Sequence, residues 1–459
     1  MEDRFDVIVV GARCAGAPLA TLLARQGQKV AVVERATFPK DTLSTHIFQS
    51  AAINFLRRLD VLDTVLATGA RPYSKVQLRQ EDYQTTFEID QRPGDEGGFM
   101  AVRRFVLDPI LLEAATDAGA EALMSTNVTG LVYDGGRVAG VRVRAGGQDR
   151  RLMAKLVVGA DGRNSTVGEL AGARKYNVLP GERFGYWGYF EDADPELQQS
   201  LVYHRWDGRY VIAMPTDGGL YLVIVLPESR FLPEFRADRE AAFMAHMRAC
   251  EPVANVLQGG AQRTGKLLGM LKFECFFRES AGPGWALAGD AGHFKDPAPG
   301  QGISDAFRQV EALAPVILGA IDESPATLDA AVREWARWRD RDAAETYWLA
   351  ADFGAAKPAP TLLVETTRLL DREGRVHELG DIFQHRRQPS AVVTLPVLLK
   401  AARSAMRRPG ADRGELTRQL RELIATDTRR RRLNRKPEYA PIGEHRDAGE
   451  TEVPEAVAA

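Results

Sequence analysis

Cysteine is scarce: Cys14, Cys250 and Cys275 form an odd set of three, without CxxC or Cys/His spacing. That excludes a disulfide framework and a metal site of the zinc type, and a reducing cytoplasm is the compartment expected. A positive surplus is missing too. Lys plus Arg number 60 against 62 Asp plus Glu, a net charge of -2, which removes the basic bias of a nucleic-acid binder. No apolar run reaches the roughly 18 residues that span a bilayer. The opening MEDRFDVIVV passes from an acidic start into a short strand pattern, unlike a secretory leader. A soluble chain is expected.

What is present is length and pattern. The 459 residues are about three times the usual single domain, so a nucleotide-binding domain plus a second module is the default. Phe5–Val10, a Gly-containing turn, an Ala/Leu-rich helix to about Gln26 and Lys29–Glu34 read as one β-α-β unit. The apolar runs Leu152–Ala160 and Gly284–Ala288 are expected to complete a parallel sheet from distant segments. Between Tyr176 and Phe277 the pattern changes to short alternating strands, with Tyr210–Met214 and Leu220–Leu226 read as a hairpin. The fold expected is α/β: a discontinuous Rossmann-type domain (1–73, 95–175, 276–325), an inserted antiparallel β-sheet domain (74–94, 176–275) and C-terminal helices (326–436). Trp335, Trp338, Tyr347, Trp348 and Phe353 are expected to pack those helices onto the body. The Arg-rich stretch from Lys400 to Lys436 reads as a solvated helix capable of weak contact with an anionic membrane surface. The acidic residues 437–459 are expected to be disordered.

Three motifs carry chemistry. Gly11-Ala-Arg13-Cys-Ala-Gly16 opens the first helix, and Glu34 ends the second strand 18 residues beyond Gly16. Glycines allow the tight turn and close packing, the helix N-terminus offers N–H groups to a pyrophosphate, and the carboxylate can accept from a ribose. Arg13 stands where the middle glycine is usual, and it can itself pair with phosphate. The second motif, Val157-Val-Gly-Ala-Asp161-Gly162-Arg-Asn-Ser165, ends an apolar strand in a carboxylate at the sheet's carboxyl edge, where ligands of open α/β sheets collect. The third runs from Gly289-Asp290 through His293 and Pro297 to Gly300-Gln-Gly302 and joins a strand to a helix. Its carboxylate suits ribityl hydroxyls, and its glycines open the backbone beside a helix N-terminus.

In this order and at these separations the motifs resemble the flavoprotein family of aromatic hydroxylases built on the para-hydroxybenzoate hydroxylase fold, an architecture shared by geranylgeranyl reductases and flavin-dependent halogenases. The resemblance covers residues 1 to 325 and implies FAD as cofactor. It implies that Glu34 and Arg35 hold the adenosine end, Asp290 the ribityl chain and the Gly300–Gly302 loop the isoalloxazine, while Arg104 reaches the phosphates or ribityl chain. Asp161 resembles the carboxylate tied to both FAD and nicotinamide handling, and Gly11, Arg13, Gly16, Val128, Pro297 and Ile303 complete the cofactor-binding set. Gly168 stands where such hydroxylases usually carry an arginine, and no thioredoxin-like domain is recognisable in 326–436.

The resemblance implies that NAD(P)H reduces the flavin, that oxygen adds at C4a, and that the hydroperoxide gives one oxygen to an electron-rich carbon. The protein then shields, positions and supplies modest acid/base help, with no metal. Residues 41–46 resemble the stretch that runs towards the flavin, and His46 is the acid/base candidate. Tyr186, Trp187, Tyr189, Tyr203, Tyr210 and Met214 are the candidate pocket for a planar or greasy small molecule, half of them turned towards the flavin by strand alternation. The expectation is a cytoplasmic monooxygenase, monomeric or homodimeric, acting on an aromatic or polyketide-like compound. The main alternative is a geranylgeranyl reductase-like enzyme that saturates a prenyl lipid, although Asp41-Thr-Leu-Ser44 replaces that group's usual Cys-Gly run. A halogenase ranks third, Tyr186-Trp187-Gly-Tyr189-Phe190 being a faint echo of its Trp-x-Trp-x-Ile-Pro. A non-catalytic binding protein on the same fold has no need of both Asp161-Gly and Gly289-Asp290.

Overall fold

The computed structural model describes residues 3–42, 44–194 and 198–441. The strand Asp3–Val10 is central in a parallel sheet, between Val30–Val33 and Gln148–Gly159. Glu121–Leu123 and Trp285–Leu287 lie beyond these, also parallel. Strands buried on both faces need near-continuous apolar sequence, and VAVV at 30–33 and LVVG at 156–159 supply it. The helices Gly16–Ala24, Arg104–Asp117 and Gly302–Leu318 cover one face through Leu19, Leu107, Leu111, Phe307 and Val310. On the other face, Asn127–Asp134 and Arg137–Ala145 fold antiparallel onto the start of Gln148–Gly159 and bring Val138, Val141 and Val143 over Ile8 and Val10.

A second sheet has seven strands in the spatial order Gln262–Met270, Gly185–Glu191, Tyr221–Val225, Arg209–Pro215, Leu201–Trp206, Lys75–Gln80, Tyr83–Glu88. Neighbours run antiparallel except Leu201–Trp206 beside Lys75–Gln80. The expected hairpin forms, its turn passing through Gly218 and Gly219 at positive φ. Three helices, Leu232–Ala237, Arg239–Arg248 and Glu251–Leu257, cover the sheet's outer face and correct the expectation of strands throughout 176–277. Their prolines sit in first turns, where no N–H is needed, and the Asp238 side chain caps the middle helix by accepting from Ala241 N at 3.0 Å.

A three-stranded sheet, Lys175–Pro180 with Glu274–Arg278 and His293–Phe294, and a short ladder, Ile47–Gln49 with Phe99–Ala101, lie between the two. From Pro325 onward the described chain is helical, with Trp335 and Tyr347 buried against the body. Among the described residues no helix is long and apolar enough to cross a membrane. The helix Arg413–Arg435 is mostly exposed, and pairs such as Arg431–Asp427 and Arg430–Asp352 neutralise part of its charge. Residues 437–441, expected in the disordered tail, instead lie along Lys175–Pro180: Ala440 N donates to Lys175 O at 2.9 Å, and Tyr439 bridges Tyr176. The rest of the tail lies outside the described residues.

Candidate active site

The three motifs meet at the carboxyl ends of the parallel strands. Gly11, at φ 101°, runs so close to the next strand that a Cβ there would sit 2.4 Å from Ala160 O. A Cβ on Gly16 would sit 1.7 Å from Gly11 O, so the turn admits only glycine at both places. The Gly16–Ala24 helix starts with no side-chain cap and no acidic residue in its first turn, leaving N–H groups for an anion. Glu34 is buried and braces the turn, accepting from Ala12 N at 3.0 Å and Ala36 N at 2.9 Å. Arg35 is exposed. Thr126 N donates to Glu34 O, which lays 125–128 beside the acidic residue, and Val128 packs against the apolar cluster under the sheet.

Arg13 and Arg104 share one carboxylate. Asp108, fully buried, accepts from Arg13 at 2.7 Å and from Arg104 at 2.7 and 3.0 Å. Two guanidiniums on one anion leave a local excess of one positive charge beside the helix N-terminus, which suits a pyrophosphate. Cys14 lies 3.8 Å from Asp108, and burial pushes its thiol up to about 12, so it is an unreactive packing residue.

Asp290 comes in from the far end of the chain. A Cβ on Gly289 would lie 3.0 Å from Ala15 Cβ, so the third motif rests on the first. Burial, helped by Asp305 and opposed by Arg104, pushes the Asp290 carboxyl up to about 6. Asp161 accepts from Ser165 Oγ at 2.5 Å and Val167 N at 3.1 Å, bracing the helix Thr166–Leu170. The space beside Gly168 is taken by Arg278, whose Nη1 would be 2.4 Å from a Cβ there. An arginine from the strand Glu274–Arg278 thus lies against the helix position where the sequence has none.

The loop Pro297–Gly302 is shaped by Gly300 at φ 70°, whose N donates to Pro297 O at 2.8 Å and whose O accepts from Gln49 Nε2 at 3.1 Å. A Cβ on Gly302 would meet nothing within 4 Å, so the backbone is open at the start of the helix. Ile303 turns into the core. These residues fit FAD: a glycine cradle no side chain could share, a bare helix N-terminus with surplus positive charge, and a carboxyl able to donate or accept near neutral pH.

The second sheet faces this loop. Trp187, Tyr189, Tyr203, Tyr210 and Met214 share one buried cluster with Ile47 and Ala298. Tyr203 Oη and Tyr210 Oη both donate to Ala298 O, the latter at 3.2 Å. Tyr186 points the other way and stacks on Phe235 at 5.1 Å, so it leaves the pocket set. His46, at φ 65°, is buried with Nε2 2.9 Å from Tyr189 Oη and no partner for Nδ1 among the described residues. Burial, then Arg104, then Arg103 hold it down to about 3. Burial thus favours the neutral imidazole, which suits a hydrogen-bonding role beside Tyr189 more than proton transfer.

Sequence reasoning missed Phe383 and the reach of Phe353. Their rings lie 5.5 and 6.1 Å from that of Tyr203 and close the apolar side of the site. No periodicity links position 383 to 203. The apolar cavity here, between Ile47, Tyr203, Pro299, Gly380 and Phe383, is about 10 Å³, room for one water, so a substrate ring enters only if these side chains part. A larger cavity of about 870 Å³, lined by Lys175, Arg278, Trp348 and Arg430, touches the third motif only at Asp296. None of the expected cofactor residues line it.

The FAD binding domain family model matches residues 4–235. A digeranylgeranylglycerophospholipid reductase of Methanocella arvoryzae is 27% identical over 354 residues, 73% of this chain and 84% of that protein. The 6-methylpretetramide 4-monooxygenase of Streptomyces rimosus is 29% identical over 323 residues, 68% of this chain and 75% of that protein. In fold, the flavin-dependent brominase Bmp2 superposes with a TM-score of 0.72 at 18% identity, covering 88% of this chain and all of that one. The chain belongs to the FAD binding domain family, within the superfamily of FAD-dependent monooxygenases and geranylgeranyl reductase-like flavoproteins, and is an FAD-dependent oxidoreductase.

Proposed function

We propose that this enzyme is an NAD(P)H-consuming monooxygenase that hydroxylates or epoxidises an aromatic or polyketide-like small molecule. The observation that carries the reading is the aromatic face: Trp187, Tyr189, Tyr203 and Tyr210 turned onto the Ala298 loop, over a cofactor site built from the three motifs. FAD, when bound, supplies electron transfer from the nicotinamide and the activation of oxygen. The chain does the rest. The bare helix N-terminus with Arg13 and Arg104 holds the pyrophosphate, Glu34 with Arg35 the adenosine end, and Asp290 the ribityl hydroxyls. Phe353 and Phe383 keep water from the apolar side. Neutral His46 and Tyr189 form a hydrogen-bonded pair that orients a substrate hydroxyl and passes no net charge to it.

The relative whose name is a lipid reductase supports a second reading, saturation of a prenyl chain. The exposed arginines of the Arg413–Arg435 helix suit an approach to an anionic lipid surface. The three buried, unbonded thiols suit a reducing, cytoplasmic compartment. NADPH and NADH oxidation by the FAD-loaded protein, under air and under nitrogen, across phenols, aromatic polyketides and prenyl lipids, separates the two. Oxygen-dependent turnover stimulated by an aromatic compound is expected. Turnover that persists under nitrogen with a prenyl lipid would move the protein to the reductases.

A further inference from the structure

Beneath the Pro297–Gly302 loop lies a charged cluster, partly drawn from the third motif itself, to which neither the cofactor contacts nor the aromatic face assigns a role. Lys295 is buried, and its ammonium spends all three protons inside the protein. Nζ lies 2.7 Å from Asp305 Oδ2, 2.8 Å from Gln301 Oε1 and 3.4 Å from Thr346 Oγ1. The other Asp305 oxygen lies 3.3 Å from His385 Nε2. Gln301 is equally enclosed, and its Nε2 donates to Phe383 O at 3.2 Å and Ile382 O at 3.4 Å. Both ends of this one side chain are therefore fixed, and it sits between Gly300 and Gly302.

Burying an ammonium and a carboxylate is costly, and a well-packed apolar pair of similar size is commonly as stable. The ion pair gives what an apolar pair cannot, a directed hydrogen bond to Gln301. Gly300 and Gly302 resist neither rotation nor drift by themselves, because glycine backbone is the least restricted. The backbone between them starts the Gly302–Leu318 helix, whose first N–H groups have no side-chain cap and whose Gly302 has open space beside it.

We propose that Lys295 is a positioning residue for the flavin. Through Gln301 it fixes the 300–302 peptides and the helix start behind them, and so sets how strongly those N–H groups stabilise negative charge on the reduced ring. This rests on the reading of the loop as the isoalloxazine site. It is independent of whether the reaction is oxygenation or reduction.

The test uses the full-length holoprotein and two variants. Lys295→Met with Asp305→Leu removes both charges together and keeps the volume, which avoids leaving one charge unpaired. Gln301→Ala breaks the link with both charges in place. The readouts are FAD affinity by titration of the apoprotein, the visible spectrum of bound flavin, and its midpoint potential by dye equilibration. Both variants are expected to bind FAD about tenfold more weakly, the loss of one buried hydrogen bond. Both should also have a potential shifted to more negative values than the wild type. Should the paired variant not accumulate, Gln301→Ala carries the same comparison. Wild-type affinity, spectrum and potential in the soluble variants would overturn the role of Lys295. Failure of the wild type to bind FAD would instead overturn the site.

Discussion

Asp290 is the residue where sequence and environment pull against each other. The Gly289-Asp290 motif demands a carboxyl, and burial pushes that carboxyl up to about 6 from 3.8. Between those two values the folded chain holds a proton that the unfolded chain has lost, so stability falls as pH rises through this window. Above it the penalty is fully present, and below pH 4 it is absent. Asp290→Asn removes the charge and keeps the shape. The apoprotein of that variant is expected to melt above wild type at pH 7.5, with the gap closing towards pH 4.5. Thermal unfolding at the two pH values measures this, and an equal gap at both would contradict it. Identity and spacing made Asp290, Glu34, Gly11 and Gly16 legible in the sequence, because a tight βα turn and a strand-end carboxylate are local demands. The protonation of His46 was not legible, since it depends first on burial in the folded chain and then on Arg104 and Arg103, more than fifty residues further along.

At the level of elements, strand parity decides which aromatics serve the site. Tyr186 and Trp187 are neighbours in sequence and lie on opposite faces of the same strand. Alternation foretold that half of the six candidates would turn inward, whereas five do and Tyr186 alone faces away, an outcome fixed by the register of Gly185–Glu191 with Tyr221–Val225 and Gln262–Met270. Tyr186→Ala is expected to cost about 3 kcal/mol, as for a large buried aromatic, while leaving the visible spectrum of bound flavin unchanged. Tyr203→Phe loses its bond to Ala298 O and should perturb that spectrum at a cost of about 1 kcal/mol. The reverse pattern, in denaturant titrations and absorption spectra of both variants, would place the substrate face on the other side. The helices between Leu232 and Leu257 escaped the sequence reading for a related reason. Pro233 and Pro252 punctuate the stretch like turns, but in a first turn proline starts a helix.

The whole molecule is tied together by its C-terminal helices, whose contribution to the site has no sequence signature. Gln384, buried, accepts from Ser50 N at 2.7 Å and donates to Gly98 O at 3.1 Å. Phe383 beside it reaches Tyr203. Gln384→Ala orphans Ser50 N and leaves Gly98 O with Ser50 Oγ alone at 3.3 Å, and it is expected to cost about 1–3 kcal/mol in denaturant unfolding. A loss under about 0.5 kcal/mol would mean that this region is not docked on the site. On the proposed reading, the molecule's central property is FAD held across three motifs drawn from residues 11–16, 161–165 and 289–302. Fluorescence titration of the apoprotein with FAD, wild type against Asp290→Ala, measures it most directly. Wild type should take up one FAD per chain, and the variant should bind at least about tenfold more weakly through loss of the ribityl contact. A variant that binds FAD as tightly as wild type would contradict the assignment of the cofactor to this site.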